Sequence, residues 1–224
     1  MGRSDHEAVA VEVIQDLSSV SHPLCGYLSR HRMRARTVLA DGRRTPPYMV
    51  DWVDRGPDRR DAVAIVIYAR FGSQVRVLLR RQVRVPVFLV TGQPTLLEVV
   101  AGVIEGTDSV ETAAAKEVAE EAGLTVAPDA FEVLGQPFFL SPASFIERIH
   151  VLAVEVPATR LEPGTLPPPP TDGSPLELGA DRWLVSLDAA LALSEASPTS
   201  RKDRMFLADA KTEIGLRRLK ERHG

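Results

Sequence analysis

Apolar and polar residues alternate along this chain in short runs divided by turn-forming residues. RMRARTVLA (32–40) and PYMVDWVD (47–54) alternate at the period of a strand around the turn residues DGRR, which predicts two strands. DAVAIVIYAR (61–70) and QVRVLLRRQV (74–83) are rich in Val, Ile and Leu on either side of the turn FGSQ, which predicts a strand pair. TGQPTLLEVVAGVIEG (91–106) reads as a further strand region, interrupted at Gly92, Pro94 and Gly102. From Ser109 or Val110 the pattern changes to an Ala- and Glu-rich helix that Gly123 should end. FEVLGQPFFL (131–140) and IERIHVLAVEV (146–156) predict two more strands. Residues 157–180, with the run PPPP at 167–170, predict a long irregular loop. DRWLVSL (181–187) predicts a last strand, and 187–196 and 201–224 two C-terminal helices. Strands around one central helix with helices at the end argue an α+β fold, an α/β/α sandwich.

Composition narrows this picture little. The 224 residues, 44% hydrophobic and 25% charged, suit one soluble domain, or one domain with an added subdomain. The net charge of −3 lacks the basic excess that nucleic-acid binding needs. The longest apolar run, AVAIVIYA (63–70), is far too short to span a bilayer. The first seventeen residues have no signal-peptide core. Cys25 is the only cysteine, so neither an intrachain disulfide nor a cysteine zinc cluster can form. Together these predict a cytoplasmic protein with no nucleic-acid or membrane partner.

The chemistry concentrates in AGVIEGTDSVETAAAKEVAEEAGL (101–124). On a helix Glu117 and Glu121 share one face, with Glu120 beside them. Like charges at this spacing repel by a few tenths of a kcal/mol, about 0.2–0.5 per pair, unless something compensates. A hard cation such as Mg²⁺ or Mn²⁺ would compensate. Taken alone, EVAEEAG is also what a solvated helix looks like. The wider spacing decides between the two. The run resembles the Nudix hydrolase signature G-x5-E-x7-R-E-U-x-E-E-x-G-U, where U is a bulky apolar residue, in register over the 23 positions from Gly102 to Leu124. Two of its nine specified positions depart: Asp108 stands for Glu and Lys116 for Arg.

The resemblance implies a Nudix fold, a mixed β-sheet flanked by helices, over 59–224, with 1–58 as a strand-containing extension. It implies Glu117 and Glu121 as the main Mg²⁺ or Mn²⁺ ligands, helped by Glu120 and the carbonyl of Ala101. Glu120 and Glu121 are the implied catalytic acids. Gly102 is expected to end its strand in a tight turn, Gly123 to release the helix, and Asp108 and Lys116 to brace the motif. The basic residue at 116 is expected to orient a glutamate through an ion pair, although Lys lacks the planar fork of Arg.

Outside the signature, LLEVVAGVIEG is similar to the lead-in of the ADP-ribose and nucleotide-sugar pyrophosphatase branch, with Glu98 as its acid. RRQVRVP (80–86) resembles the branch's Q-x-R segment, implying Arg84 as a diphosphate clamp; an exposed strand arginine is the plain alternative. SPASFIER (141–148) resembles S-P-G-G-x-x-E-R, with Ala143 and Ser144 in place of two glycines. This implies Glu147 on the sugar hydroxyls; the alternative is a surface acid paired with Arg148. A loop acid before the last strand is expected at Glu177, with Asp181 in reserve. His150 reads as a sheet-face histidine.

The branch implies hydrolysis of ADP-ribose or a related nucleoside diphosphate sugar by a homodimer joined through residues 32–54. UDP-glucose or GDP-mannose hydrolysis, and a catalytically weak nucleotide-binding module, are the alternatives.

Overall fold

The computed structural model describes residues 28–38, 44–56, 61–162, 164, 180–196 and 207–223. Cys25, the PPPP run and Glu177 lie outside the described residues.

The elements in chain order are β1 (Ser29–Ala35), β2 (Tyr48–Asp54), β3 (Asp61–Phe71), β4 (Gln74–Val83), α1 (Val85–Thr91), β5 (Thr95–Glu98) and β6 (Val100–Val103). The chain continues through α2 (Val110–Glu117), β7 (Glu132–Val133), β8 (Phe138–Phe139), β9 (Arg148–Glu155), β10 (Asp181–Ser186), α3 (Leu187–Glu195) and α4 (Ala210–His223). The main sheet runs β10-β4-β3-β9-β7. It is mixed, since β3 lies parallel to β9 and antiparallel to β4.

β3 explains the architecture. Its side chains alternate between two cores. Ala62, Ala64 and Val66 pack with Leu216 and Leu219 of α4 and Ala190 of α3. Val63, Ile65 and Ile67 pack with Ala113 and Ala114 of α2 and with Val118. A strand buried on both faces reads as an unbroken apolar run, as DAVAIVIYA does. α4 lies close against it: a Cβ on Gly215 would fall 2.9 Å from Cγ2 of Val66. The result is the α/β/α sandwich expected from the pattern. No helix among the described residues is long and apolar enough to cross a membrane.

The sheet opens where the site forms. β3 and β4 pair over Ile67–Phe71 and Gln74–Leu78, around a turn in which Gly72 adopts φ 63°. Beyond that they diverge: β4 turns to β5, and β3 turns to β6. Only Val99 separates β5 from β6, so the chain crosses the opening there.

Two expectations need correction, and one element is new. The run 131–140 holds two two-residue strands instead of one long strand, because Gly135 turns at φ 84° and Pro137 follows. VPVFLVT, to which the pattern assigns no element of its own, is the short helix α1, started by Pro86 and stopped by Gly92 at φ 74°. Within the run 201–224, expected to be one helix, residues 207–209 are not helical and α4 starts at Ala210, capped by Asp209, whose carboxylate accepts from the Thr212 amide at 3.0 Å; residues 201–206 lie outside the described residues.

β1 and β2 form a separate antiparallel hairpin sheet. It meets the main body through the Val53 amide, which donates to the Ser144 carbonyl at 2.8 Å, and through a parallel bridge between Val53 and Phe145.

Candidate active site

α2 starts at Ser109, whose hydroxyl accepts from the Thr112 amide at 3.1 Å. It runs as an α-helix to Glu117 and then widens into a π-helical turn, Val118–Ala122, carrying Glu120 and Glu121. Such turns occur mostly as single insertions and often at functional sites. Gly123 ends it at φ 68°, as expected of that glycine.

Glu121 reaches across the sheet opening. Its Oε1 accepts from Arg80 and from Gln82 Nε2 (3.2 Å) on β4, and its Oε2 from the Ala101 amide (3.3 Å) on β6. In an extended strand one residue's amide and carbonyl face the same edge, so the Ala101 carbonyl also faces the acids. Burial raises the Glu121 carboxyl above its usual range, against the pull of Arg80. Glu117 is pushed up to about 7, first by burial and then by the charges on Glu121 and Glu120. Glu120 is exposed.

Gly102 has a different role from the one expected. It has no positive φ and sits within β6, paired with Val63. What requires glycine is space, since a Cβ there would overlap the Glu117 carboxylate. Lys116 also departs from expectation. Its Nζ binds Asp108 Oδ2 at 2.6 Å and orients none of the glutamates. Lys is long enough to reach back along the helix, and the shorter Asp108 meets it there.

Two cavities share Gly102 and Val103. One, of about 330 Å³, is lined by Glu117, Glu120, Glu105, Asp108 and Lys116. The other, of about 310 Å³, is lined by Arg84, Glu98, Lys211, Arg55 and Glu147. Glu98 is buried and bonded to Arg84 through both its oxygens, while Lys211 Nζ lies 3.4 Å from its Oε1. Lys211 is held from behind by Asp209 at 2.9 Å. Glu147 is buried, and its partner is Arg55 at the end of β2, not Arg148, which pairs with Asp61. Asp61 also receives His150 at 3.3 Å, in keeping with a sheet-face histidine. Asp181 is tied to Arg81 at 2.6 Å and to the Trp183 indole at 2.8 Å.

The fold thus gathers Arg84, Glu98, Ala101, Gly102, Asp108, Lys116, Glu117, Glu120, Glu121 and Glu147 around one opening. It adds Arg55, Arg80 and Lys211, which the linear pattern does not single out. Arg80 sits in a strand that reads as ordinary, and Lys211 and Arg55 arrive from distant elements.

The acids suit a hard divalent cation. The raised pKa of Glu117 reflects negative charge crowded out of water, which a cation would relieve. Among the described residues no three acidic, His or Cys side chains form a complete cage. This donor set fits an ion whose remaining ligands are water and substrate oxygens.

A pH effect follows. Without metal, folded Glu117 holds its proton up to about pH 7, while the unfolded carboxyl releases it near 4.5. Between these values the folded state binds more protons, so stability falls as pH rises through that window. The loss is at most about 3 kcal/mol. Thermal melts in EDTA at pH 5 and pH 8 should show it, and Glu117→Gln should flatten the difference. A wild-type melting temperature that rises over this range would refute the assignment.

Residues 58–204 match the family model described as NUDIX domain. The ADP-ribose pyrophosphatases of Escherichia coli K12 and Shigella flexneri are each 32% identical over 158 residues, covering 70% of this chain and 67% of theirs. The crystal structure of an ADP compounds hydrolase superimposes with a TM-score of 0.55 at 17% identity, covering 85% of this chain and 84% of its own, a likeness of fold. The acid-bearing helix, the glycine that admits Glu117 and these matches agree: the chain belongs to the Nudix family and is a Nudix hydrolase.

Proposed function

We propose that the protein hydrolyses the diphosphate bond of ADP-ribose or a related nucleoside diphosphate sugar, with Mg²⁺ or Mn²⁺. The observation that carries this reading is that an acid-lined cavity and one bearing Arg84, Lys211 and buried acids share the wall formed by Gly102 and Val103. The ADP-ribose pyrophosphatases among its relatives favour the same substrate class.

Glu117 and Glu121, with the Ala101 carbonyl, hold the cation. When bound, it neutralises diphosphate charge and lowers the pKa of water. Arg84 clamps the diphosphate, using donors that Glu98 aims toward the cavity. Glu147, fixed by Arg55, bonds sugar hydroxyls. Glu120 at the exposed edge, Glu121 and the loop acid Glu177 orient the attacking water and accept its proton. Water adds to one phosphorus and the bridging P–O bond breaks. ADP-ribose then yields AMP and ribose 5-phosphate.

The enzyme works in the cytoplasm as a homodimer joined through the N-terminal hairpin. Exposed Tyr48 and Met49 on β2 support that contact.

The test is an end-point panel of ADP-ribose, UDP-glucose, GDP-mannose and a dinucleoside polyphosphate, with Mg²⁺ or EDTA, resolved by chromatography. EDTA-sensitive AMP and ribose 5-phosphate from ADP-ribose is the expected result. Selective cleavage of UDP-glucose or GDP-mannose would reassign the substrate. Absence of turnover with either metal would favour a nucleotide-binding module.

A further inference from the structure

The Nudix signature puts a basic residue directly before its first helix glutamate. Here that residue, Lys116, is turned to Asp108, and its side chain is 58% exposed. Orientation of Glu121 must therefore come from elsewhere.

Arg80 is the group in position. β4 alternates, so Leu78, Arg80 and Gln82 face the α2 side of the sheet, while Arg81 faces away to Asp181. Arg80 is only 2% exposed, in a strand whose preceding residues Leu78 and Leu79 are buried and apolar. A buried guanidinium is costly unless paired. Arg80 donates to Oε1 of Glu121, and Gln82 donates to the same oxygen. Oε2 has one backbone donor, the Ala101 amide at 3.3 Å. The two side chains thus fix one oxygen and leave the other directed at the β6 edge, where Gly102 and Glu117 meet.

We propose that Arg80 is the positioning residue that holds Glu121 in its cation-binding orientation, the task that Lys116 does not perform in this chain. The proposal rests on the metal reading given above. It does not require Arg80 to touch substrate.

Mn²⁺ binding to the purified full chain, followed by electron paramagnetic resonance without substrate, separates the two. Wild type should bind Mn²⁺, and Glu121→Gln should weaken it. Failure of either would remove the metal reading and this proposal together. Arg80→Met should raise the Mn²⁺ dissociation constant by about 10–100-fold, the range for partners that orient metal ligands. Arg80→Lys, which keeps the charge but loses the planar fork, should fall between the two and serves as the test if Arg80→Met does not fold. Lys116→Met should lose less affinity than either Arg80 variant, because the hydrogen bond of Lys116 goes to Asp108 and not to Glu121. The proposal alone is overturned if folded Arg80 variants bind as wild type, or if Lys116→Met loses at least as much affinity as they do.

Discussion

Glu121→Gln should reduce turnover by about 10³-fold at saturating Mg²⁺ and leave the protein folded. Gln keeps the size of the side chain, and its amide oxygen can still accept from Arg80. It cannot supply the negative charge that a hard cation requires. Two opposed effects act on stability. The raised pKa of Glu121 means that folding holds this carboxylate at a cost, which Gln removes. Arg80 loses an anionic partner, which costs stability. The residue is partly buried at the edge of the sheet opening rather than in either apolar core. A melting-temperature change below about 5 °C is therefore expected. Steady-state kinetics and a circular-dichroism melt on the same preparation measure both. A folded mutant with activity within tenfold of wild type would remove Glu121 from the machinery.

What the linear pattern discloses is what local spacing can encode. β3 is visible because a strand buried on both faces must be apolar at successive positions. The acid helix is visible because Glu117 and Glu121 lie one turn apart and Gly123 marks its end. Arg80 is hidden because its meaning depends on a residue 41 positions away. In QVRVLLRRQV it looks like one of three arginines in an alternating strand, two of which have different partners. Lys211 is hidden for the same reason: α4 packs across the sheet and brings its first turn to Glu98. Arg55 lies just past the strand-like run 47–54, yet it pairs with Glu147 in the cavity wall.

Glu147 and Arg84 show the same limit. Pairing with the adjacent Arg148 is the local guess for Glu147. Strand alternation instead sends Arg148 to Asp61 at 2.6 Å and leaves Glu147 buried beside β2. An exposed strand arginine is the local guess for Arg84. It sits instead at the cap of α1, facing the buried Glu98. In both cases the partner is supplied by tertiary packing, which no spacing rule carries.

Gly102→Ala should abolish most activity, by about 10²-fold or more, with little loss of fold. The usual reason for a required glycine, a left-handed backbone, does not apply, because Gly102 has no positive φ. The added methyl would instead occupy the space of the Glu117 carboxylate. That group ends a flexible side chain, so it can swing aside at small cost to folding. Ala in a strand costs less backbone entropy than Gly. The carboxylate that leaves, however, is the one that lines the acid cavity and feels the charge of Glu121. Losing it from that position should weaken Mn²⁺ binding and slow turnover together, while the circular-dichroism spectrum and melting temperature stay near wild type. Glu117→Gln in the Gly102→Ala background should then add little further loss, since the same carboxylate is already displaced. A Gly102→Ala protein that keeps wild-type turnover would show that Glu117 works from another position. One that unfolds would show that the tight contact serves the sheet instead of the site.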